Sequence, residues 1–302
     1  MRMTMAILVA GLAGGAACVD LVGAGEKYVV SDTKPFTTSS APDINLETFD
    51  GSIQVRAWDK SEVEVMIERR ASSKEAADTI EVNASQNGNQ VTVSAKVPKM
   101  NGFGFHINYA RSAKLIVSAP SASNVVARSG DGAIIIERIS GRVDLRSGDG
   151  SIRGHDLGGG VKAHTGDGSI NLDGVSGSLD VDTGDGSVAL SGRLTAVQVR
   201  TGDGSVTVRA DHGSTASADW DIATGDGPIK LQLPEGFNAD LDARTSDGRV
   251  RMNDMALSNV GGHIEKNSAR GQLGSGGRVV RLRTGDGSIT LSRIAAAERG
   301  SF

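Results

Sequence analysis

A Gly-Asp-Gly triplet repeated at a fixed interval limits this chain more than any other feature. Its aspartates are Asp131, Asp149, Asp167, Asp185 and Asp203, each 18 residues after the last. Asp226, Asp247 and Asp286 follow at intervals of 23, 21 and 39; the copies around Asp131, Asp226 and Asp247 are looser, and that of Asp286 is again RTGDGSI. A constant period of this size marks a solenoid, in which each unit buries its apolar face against the next.

The units superpose into columns. Three places after the aspartate stand Ile134, Ile152, Ile170, Val188, Val206, Ile229, Val250 and Ile289; two places further stand Ile136, Gly154, Leu172, Leu190, Val208, Leu231, Met252 and Leu291. Mostly polar residues lie between them, which is the period of a strand with one buried face. A second strand precedes each triplet, with Val143, Val161, Leu179 and Val197 in one apolar column and Leu145, Ala163, Val181 and Val199 in the next. Each unit therefore reads as strand, G-D-G turn, strand, second turn. The class is all-β: a β-solenoid, β-helix-like, of two-strand coils about 4.8 Å apart. The longer intervals imply loops that leave the coil at Ala210–Asp221 and Met255–Gly277.

Residues 26–120 are patterned differently. Ile44–Val55 and Glu62–Glu68 alternate apolar and polar residues, and Phe49-Asp50-Gly51-Ser52-Ile53 reads as a degenerate first copy of the repeat. One short helix is expected over Ser73–Thr79, capped by Ser72 or Ser73. Strands Ile80–Ala84 and Gln90–Ala95 flank an Asn87-Gly88-Asn89 hairpin signal, and Lys114–Ala119 is a further strand. This region is expected to be an antiparallel β-rich cap, because an uncapped sheet edge invites foreign strands.

The N-terminus carries Arg2, an apolar run from Met5 to Ala13, then small residues up to Cys18, the sole cysteine. That run is too short to span a bilayer as a helix and reads as an export signal. Gly15-Ala16-Ala17-Cys18 resembles a bacterial lipobox, which implies Cys18 as the lipidation site and the membrane as the first partner; plain secretion and a retained N-terminal helix are the alternatives. The expected division is an export signal over 1–17, a lipid-anchored linker over 18–25, the cap over 26–120, the solenoid over 121–294 and a tail over 295–302. The expected location is the cell envelope, periplasmic or surface-facing. With a formal charge of -4 there is no basic footprint for nucleic acid.

The run LETFDGSIQVRAWDKSEVEVMIERRA, then KEAADTIEVNASQNGNQVTVSAKVP, then the S/T-G-D-G coils, resembles the bacterial putative-adhesin family of β-strand-repeat proteins. The resemblance covers nearly all of the chain after the signal. It implies a β-solenoid exposed at or beyond the cell envelope, and it brings no catalytic residues.

Several readings of the G-D-G turn compete. In the structural one, glycine on each side of Asp supplies positive φ for a tight turn. The hydroxyl column Ser147, Thr165, Thr183, Thr201, Thr224, Thr245 and Thr284 then lies inward and forms a hydrogen-bond ladder. In the second, stacked carboxylates at Asp149, Asp167, Asp185 and Asp203 hold calcium, which takes several oxygen ligands. Arg128, Arg146, Arg200, Arg244 and Arg283, three residues before the aspartates, are an alternative source of compensation. The balance fails around Asp167 and Asp185, where His164 and Asp182 replace arginine. A phosphate cradle is disfavoured, since such a loop leads into a helix.

An enzyme is the third class. Asp144, Asp180 and Asp182 share an outer face and can be drawn as a polysaccharide-cleaving carboxylate cluster. Against this, aromatics make up only 3% of the chain, and the five histidines have no metal-ligand spacing. Phe103 and Phe105, in a glycine-rich loop, are the candidate binding tip, and Trp58 is expected to pack in the core or cap. The expected function is a non-catalytic adhesion or scaffold lipoprotein contacting an envelope or surface protein or polysaccharide. No cofactor is required unless calcium binds.

Overall fold

A computed structural model describes residues 19–20, 28–98, 111–258 and 265–294. Almost all the regular structure is strand. The strands form two ladders, one entering the G-D-G turns and one leaving them. In the first ladder Asn124–Ser129, Val143–Arg146 and Val161–Thr165 pair in parallel, with Val125, Val143 and Val161 in one file. In the second, Ile134–Glu137, Ile152–His155 and the start of Ile170–Thr183 do the same, with Ile134, Ile152 and Ile170 aligned. The aligned residues are 18 apart, so the sequence columns are the spatial columns.

The apolar files face each other and close one continuous core from Ile44 to Leu291. Small β-branched and leucine side chains fill it. Gly154 fits because Leu157 and Leu172 occupy the space where its side chain would be; a methyl there would stand 2.7 and 2.8 Å from their terminal carbons. The larger side chains Trp220 and Phe237 pack edge-on at 5.2 Å where the coils lengthen.

The second turn is less distinct than the sequence suggests. Ile170–Thr183 and Val188–Thr201 each run as one 14-residue strand through it, with register shifts at Leu172/Val175 and Gly177/Ser178. The expected loop Met255–Gly277 also contains a strand, Ser268–Leu273, which pairs antiparallel with Ala239–Thr245. Its sequence, SARGQL, has too few apolar residues to announce a strand.

At both ends the coils change order. Asp43–Thr48 lies between Gln90–Lys96 and Asn124–Ser129, and Ile53–Trp58 lies between Arg111–Pro120 and Ile134–Glu137. The first coil along the chain is thus second in space. At the other end Val279–Thr284 lies between Trp220–Thr224 and Ala239–Thr245, and Ile289–Arg293 lies between Ile229–Leu233 and Val250–Asn253. The last described coil is likewise one place in from the end.

The expected antiparallel cap is therefore mixed. Four strands of 43–120 are parallel members of the ladders. The antiparallel part is Glu81–Asn87 on Gln90–Lys96, with Glu62–Ala71 on Arg111–Pro120 and Tyr28–Thr37 outside it. The short helix is Lys74–Asp78, and the Ser73 hydroxyl accepts from the Ala76 N–H at 3.2 Å. Trp58 is half-buried beside the turn into Glu62–Ala71, donating from Nε1 to the Glu62 carbonyl at 2.9 Å under the ammonium of Lys60.

Candidate functional site

The G-D-G turns stack directly on one another. From the coil of Asp149 to that of Asp226, the first glycine of each turn donates its N–H to the first glycine's carbonyl one coil back, as Gly166 does to Gly148 and Gly184 to Gly166. None of the G-D-G glycines has the positive φ that a tight turn suggested; the exception is Gly51, in the degenerate first copy, at 125°. Their smallness serves close approach instead. A methyl at Gly168 would stand 2.6 Å from the carbonyl carbon of Gly150, and one at Gly184 2.7 Å from the Gly166 oxygen. Backbone atoms cannot move aside as a flexible side chain can.

The hydroxyl column binds the stack together from inside. Thr165 donates toward the Gly148 and Gly150 carbonyls at 3.1 and 2.9 Å, and Thr183 and Thr201 repeat the contact one and two coils on. All seven hydroxyls of the column are buried. The ladder follows spatial order: Thr284 reaches Gly225 and Gly227, and Thr245 reaches Gly285 and Gly287.

The aspartates take no part in this. Asp149, Asp167, Asp185 and Asp203 lie exposed in a single outer file. Asp149, Asp167 and Asp185 each rest a carboxylate oxygen over the first glycine of the next coil; a methyl on that glycine would approach it to 2.5, 2.9 and 2.8 Å. The arginines three residues earlier do not neutralise them. Arg146 pairs with Asp144 at 3.2 Å, and Arg244 and Arg283 pair with Asp242 at 3.2 and 2.8 Å. These arginines lie on a strand face, where the nearest carboxylates are on that same face. Among the described residues no three of His, Cys, Asp and Glu converge as a metal-holding group.

The outer face of the first ladder gathers more chemistry. An open groove of about 420 Å³ crosses it, lined by Arg142, Asp144, Lys162, Asp180, Gln198 and Asp219 among others, over a floor of Gly159, Gly160, Leu179 and Ala196. A neighbouring depression of about 370 Å³ adds His164 and Asp182. Asp144, Asp180 and Asp182 are thus brought together, as the outward columns imply. Each is tied to a cationic or titratable partner: Asp144 to Arg146, Asp180 to Lys162 at 3.5 Å, and Asp182 to His164 Nδ1 at 3.0 Å. Such pairing suits a binding face better than an acid–base pair, which keeps one carboxyl protonated.

On the second ladder Ser191 donates to Asp173, and Asp173 contacts His155 Nδ1 at 3.2 Å. The Ser191 hydrogen bond, and after it the imidazole, outweigh burial and hold the Asp173 carboxyl below its ordinary range. Serine here donates directly to a carboxylate whose lowered range makes it a weak base, and the imidazole stands behind that carboxylate, the reverse of the order in which an imidazole activates a serine.

The family model described as Toastrack DUF4097 matches residues 42–292. The chain belongs to this family. Among curated proteins none matches the chain. Three solved structures similar to this Toastrack chain are as follows. A "putative adhesin" from Bacteroides fragilis is 14% identical, with 87% of this chain and 97% of that one covered at a TM-score of 0.44. A "putative lipid binding protein" from Parabacteroides distasonis is 15% identical, with 88% and 97% covered at 0.46. A "putative adhesin" from Parabacteroides merdae is 14% identical, with 88% and 96% covered at 0.41.

In this Toastrack chain Cys18, Phe103 and Phe105 lie outside the described residues. No helix among the described residues is long and apolar enough to cross a membrane. Sequence reasoning missed the floor of the groove. Its Gly159-Gly160 pair, with φ of 69° and 90°, was visible as a glycine cluster in the second turn. Asp219 comes to the groove from a longer loop and carries no periodic signal.

Proposed function

We propose that this Toastrack chain is a non-catalytic module of the cell envelope that serves adhesion or scaffolding, lipid-anchored through Cys18. It contacts an envelope or surface protein or polysaccharide through the outer face of its first ladder. One observation carries the reading. The interior is packed with apolar side chains, whereas the open groove over Gly159, Gly160 and Leu179 is rimmed by charges of both signs. Recognition then falls to outward residues, which can vary without disturbing the core.

The test is retention of the chain by isolated envelope fragments, compared with an Asp144→Arg, Lys162→Glu variant that melts normally. Loss of retention is expected; equal retention removes this face from the function. Anchoring has its own test. Cys18→Ser is expected to lose fatty-acid labelling and leave the membrane fraction, and an unchanged distribution rejects the anchor.

A second reading, calcium held on the file of Asp149, Asp167, Asp185 and Asp203, is favoured by the fact that Arg146, the expected partner of Asp149, pairs with Asp144 instead, while Asp167 and Asp185 have no arginine at that spacing. Like charges one strand spacing apart repel. Millimolar calcium is expected to raise the melting temperature by several degrees, and Asp167→Asn with Asp185→Asn to abolish the rise. A melt identical in calcium and in chelator ends this reading.

A further inference from the structure

The outer face of the second ladder carries a depression of its own, at the end of the molecule where the coils are exchanged. An open groove of about 590 Å³ crosses the strands Val206–Ala210, Ile229–Leu233, Ile289–Arg293 and Val250–Asn253. These strands are in register, so their outward side chains form rows. One row runs Thr207, Lys230, Thr290, Arg251; the next runs Arg209, Gln232, Ser292, Asn253. Hydroxyl and cation alternate along the first. Coil exchange sets that order. In chain order Lys230 and Arg251 would be neighbours and would repel. In space Thr290 stands between them and holds them two strand spacings, about 10 Å, apart.

Among the described residues no carboxylate lines this groove. Those nearby stand at its margins. Asp203, Asp226, Asp286 and Asp247 lie in the turns, four residues before the members of the first row, or about 13 Å of extended chain. The row of Ser205, Pro228, Ser288 and Arg249 intervenes, and Arg249 sets a further cation two residues from Asp247. At the opposite margin Asp211 is held by Arg209 at 2.9 Å and Glu235 by Arg293 at 4.0 Å. Asp254, three residues past Arg251, is exposed and unpaired among the described residues. Exposed charges act over about a Debye length, roughly 8 Å at physiological ionic strength. Over the middle of the groove, Lys230 and Arg251 therefore dominate.

The polar side chains of the groove are also unused. Lys230 and Arg251 are exposed, and neither they nor Thr207, Thr290, Gln232 and Ser292 have a side-chain hydrogen-bond or ion-pair partner among the described residues. In the first-ladder groove, by contrast, Asp144, Lys162 and Asp180 are all paired. Hydroxyl and amide groups offer donors and acceptors, whereas ammonium and guanidinium offer donors alone. A ligand that satisfies all of them is rich in hydroxyls and bears carboxylates at intervals, which guanidinium takes through paired N–H donors. It is also linear, because the row extends over four strands, about 14 Å.

We propose that this groove binds an acidic polysaccharide, its carboxylates on Lys230 and Arg251 and its neutral sugars over Thr207 and Thr290. The site is separate from the groove over Gly159 and Gly160. The full chain is titrated by calorimetry with hyaluronan oligosaccharides, in which uronate and neutral sugars alternate, and with dextran, which is uncharged. Saturable hyaluronan binding is expected, weakened about tenfold by Lys230→Gln and about tenfold by Arg251→Gln. Added salt should weaken it as well. Neither substitution removes a contact of the fold, so both variants should melt like the native chain. Thr290→Glu, which sets a carboxylate between the two cations, is expected to abolish binding. Asp144→Arg with Lys162→Glu, on the other ladder, should leave it intact, so either face can fail while the other stands. Absence of hyaluronan binding, equal binding of dextran, or binding that Lys230→Gln and Arg251→Gln leave unchanged overturns the site. Loss of binding in the Asp144→Arg, Lys162→Glu variant overturns it too.

Discussion

Between Asp131 and Asp203 the coils lie in space in the order they have in the chain; at both ends they do not. The apolar columns are not what differs, since every coil offers nearly the same valine, isoleucine and leucine pairs. Burial is non-directional and cannot tell one such coil from another. Connection length decides in the middle, where an 18-residue period leaves no slack to pass a neighbour. At the ends the chain takes a longer path, from Trp58 to Gln90 and from Asn253 to Val279. There the choice falls to what each coil can pair with outside the core. Gln90–Lys96 takes an antiparallel partner in Glu81–Asn87, and Ala239–Thr245 takes one in Ser268–Leu273. Both outermost first-ladder coils are therefore the ones that bring their own cover, which is how a sheet edge avoids foreign strands.

The largest expected effect separates a stacked turn from a free one. Gly168→Ala in the middle forces a methyl against the Gly150 backbone. It should cost about 3 kcal/mol or more in a urea melt, the upper range of overpacking. Gly88→Ala, in the hairpin of the outermost N-terminal coil, meets nothing within 4 Å and pays only for its φ of 58°, about 1–2 kcal/mol. Equal losses would show that close stacking does not explain the triplet.

Next comes the hydroxyl ladder. Thr183→Val keeps the shape but takes the buried hydroxyl donor from the Gly168 carbonyl and one of two donors from the Gly166 carbonyl, for about 1–3 kcal/mol. Thr245→Val removes the same bond from the exchanged coil, where Thr245 reaches Gly285 and Gly287. A similar loss at both positions would mean that the exchanged coil is stacked as firmly as a sequential one. A much smaller loss at Thr245 would mark that end as looser.

The middle was legible because one rule wrote it. Period two on each side of a turn located the buried files of Val143, Val161, Ile152 and Ile170, and the parity of Thr165 placed its hydroxyl inward. The reason for the glycines was not legible: positive φ and close approach ask for the same residue, and only the Gly148–Gly166 contact distinguishes them. The partners of the arginines were hidden for a related reason. A spacing of three from the aspartate puts Arg146 near it in sequence, but on a strand face whose closest carboxylate is Asp144. Coil exchange lay beyond any periodic reading, because Arg283 and Asp242 are 41 residues apart with no pattern linking them. The floor of the groove was half visible, in Gly159-Gly160 but not in Asp219.

Acid should test the exchanged end before the middle. Burial pushes the Asp242 carboxyl up, but the hydrogen bonds from Arg283 and Arg270 and their charges together bring it below its ordinary range. A carboxyl lowered in the folded state adds stability above its unfolded value, near 3.9, and loses it as pH falls through the lower folded value. Stability should therefore drop below about pH 4. Asp242→Asn should flatten that part of the profile and lower stability at pH 7 by about 1–2 kcal/mol, by releasing three guanidinium groups from their carboxylate. If Asp173→Asn in the middle flattens the profile more, the acid-sensitive end has been misplaced.

The smallest effect is expected from the surface pairs of the middle. Lys162 and Asp180 meet at 3.5 Å with side chains 64% and 45% exposed, so water screens the attraction and both side chains lose freedom in forming it. Lys162→Gln should change stability by no more than about 0.5 kcal/mol, as exposed pairs generally do. The same substitution should matter to retention by envelope fragments if the outer face is a binding surface, because there the ammonium meets a partner and not only Asp180. A stability loss well above that figure would mean that Lys162 helps hold the coils together. The charges lining the groove would then be part of the scaffold, and the middle would differ from the ends in coil order but not in the use of its outer face.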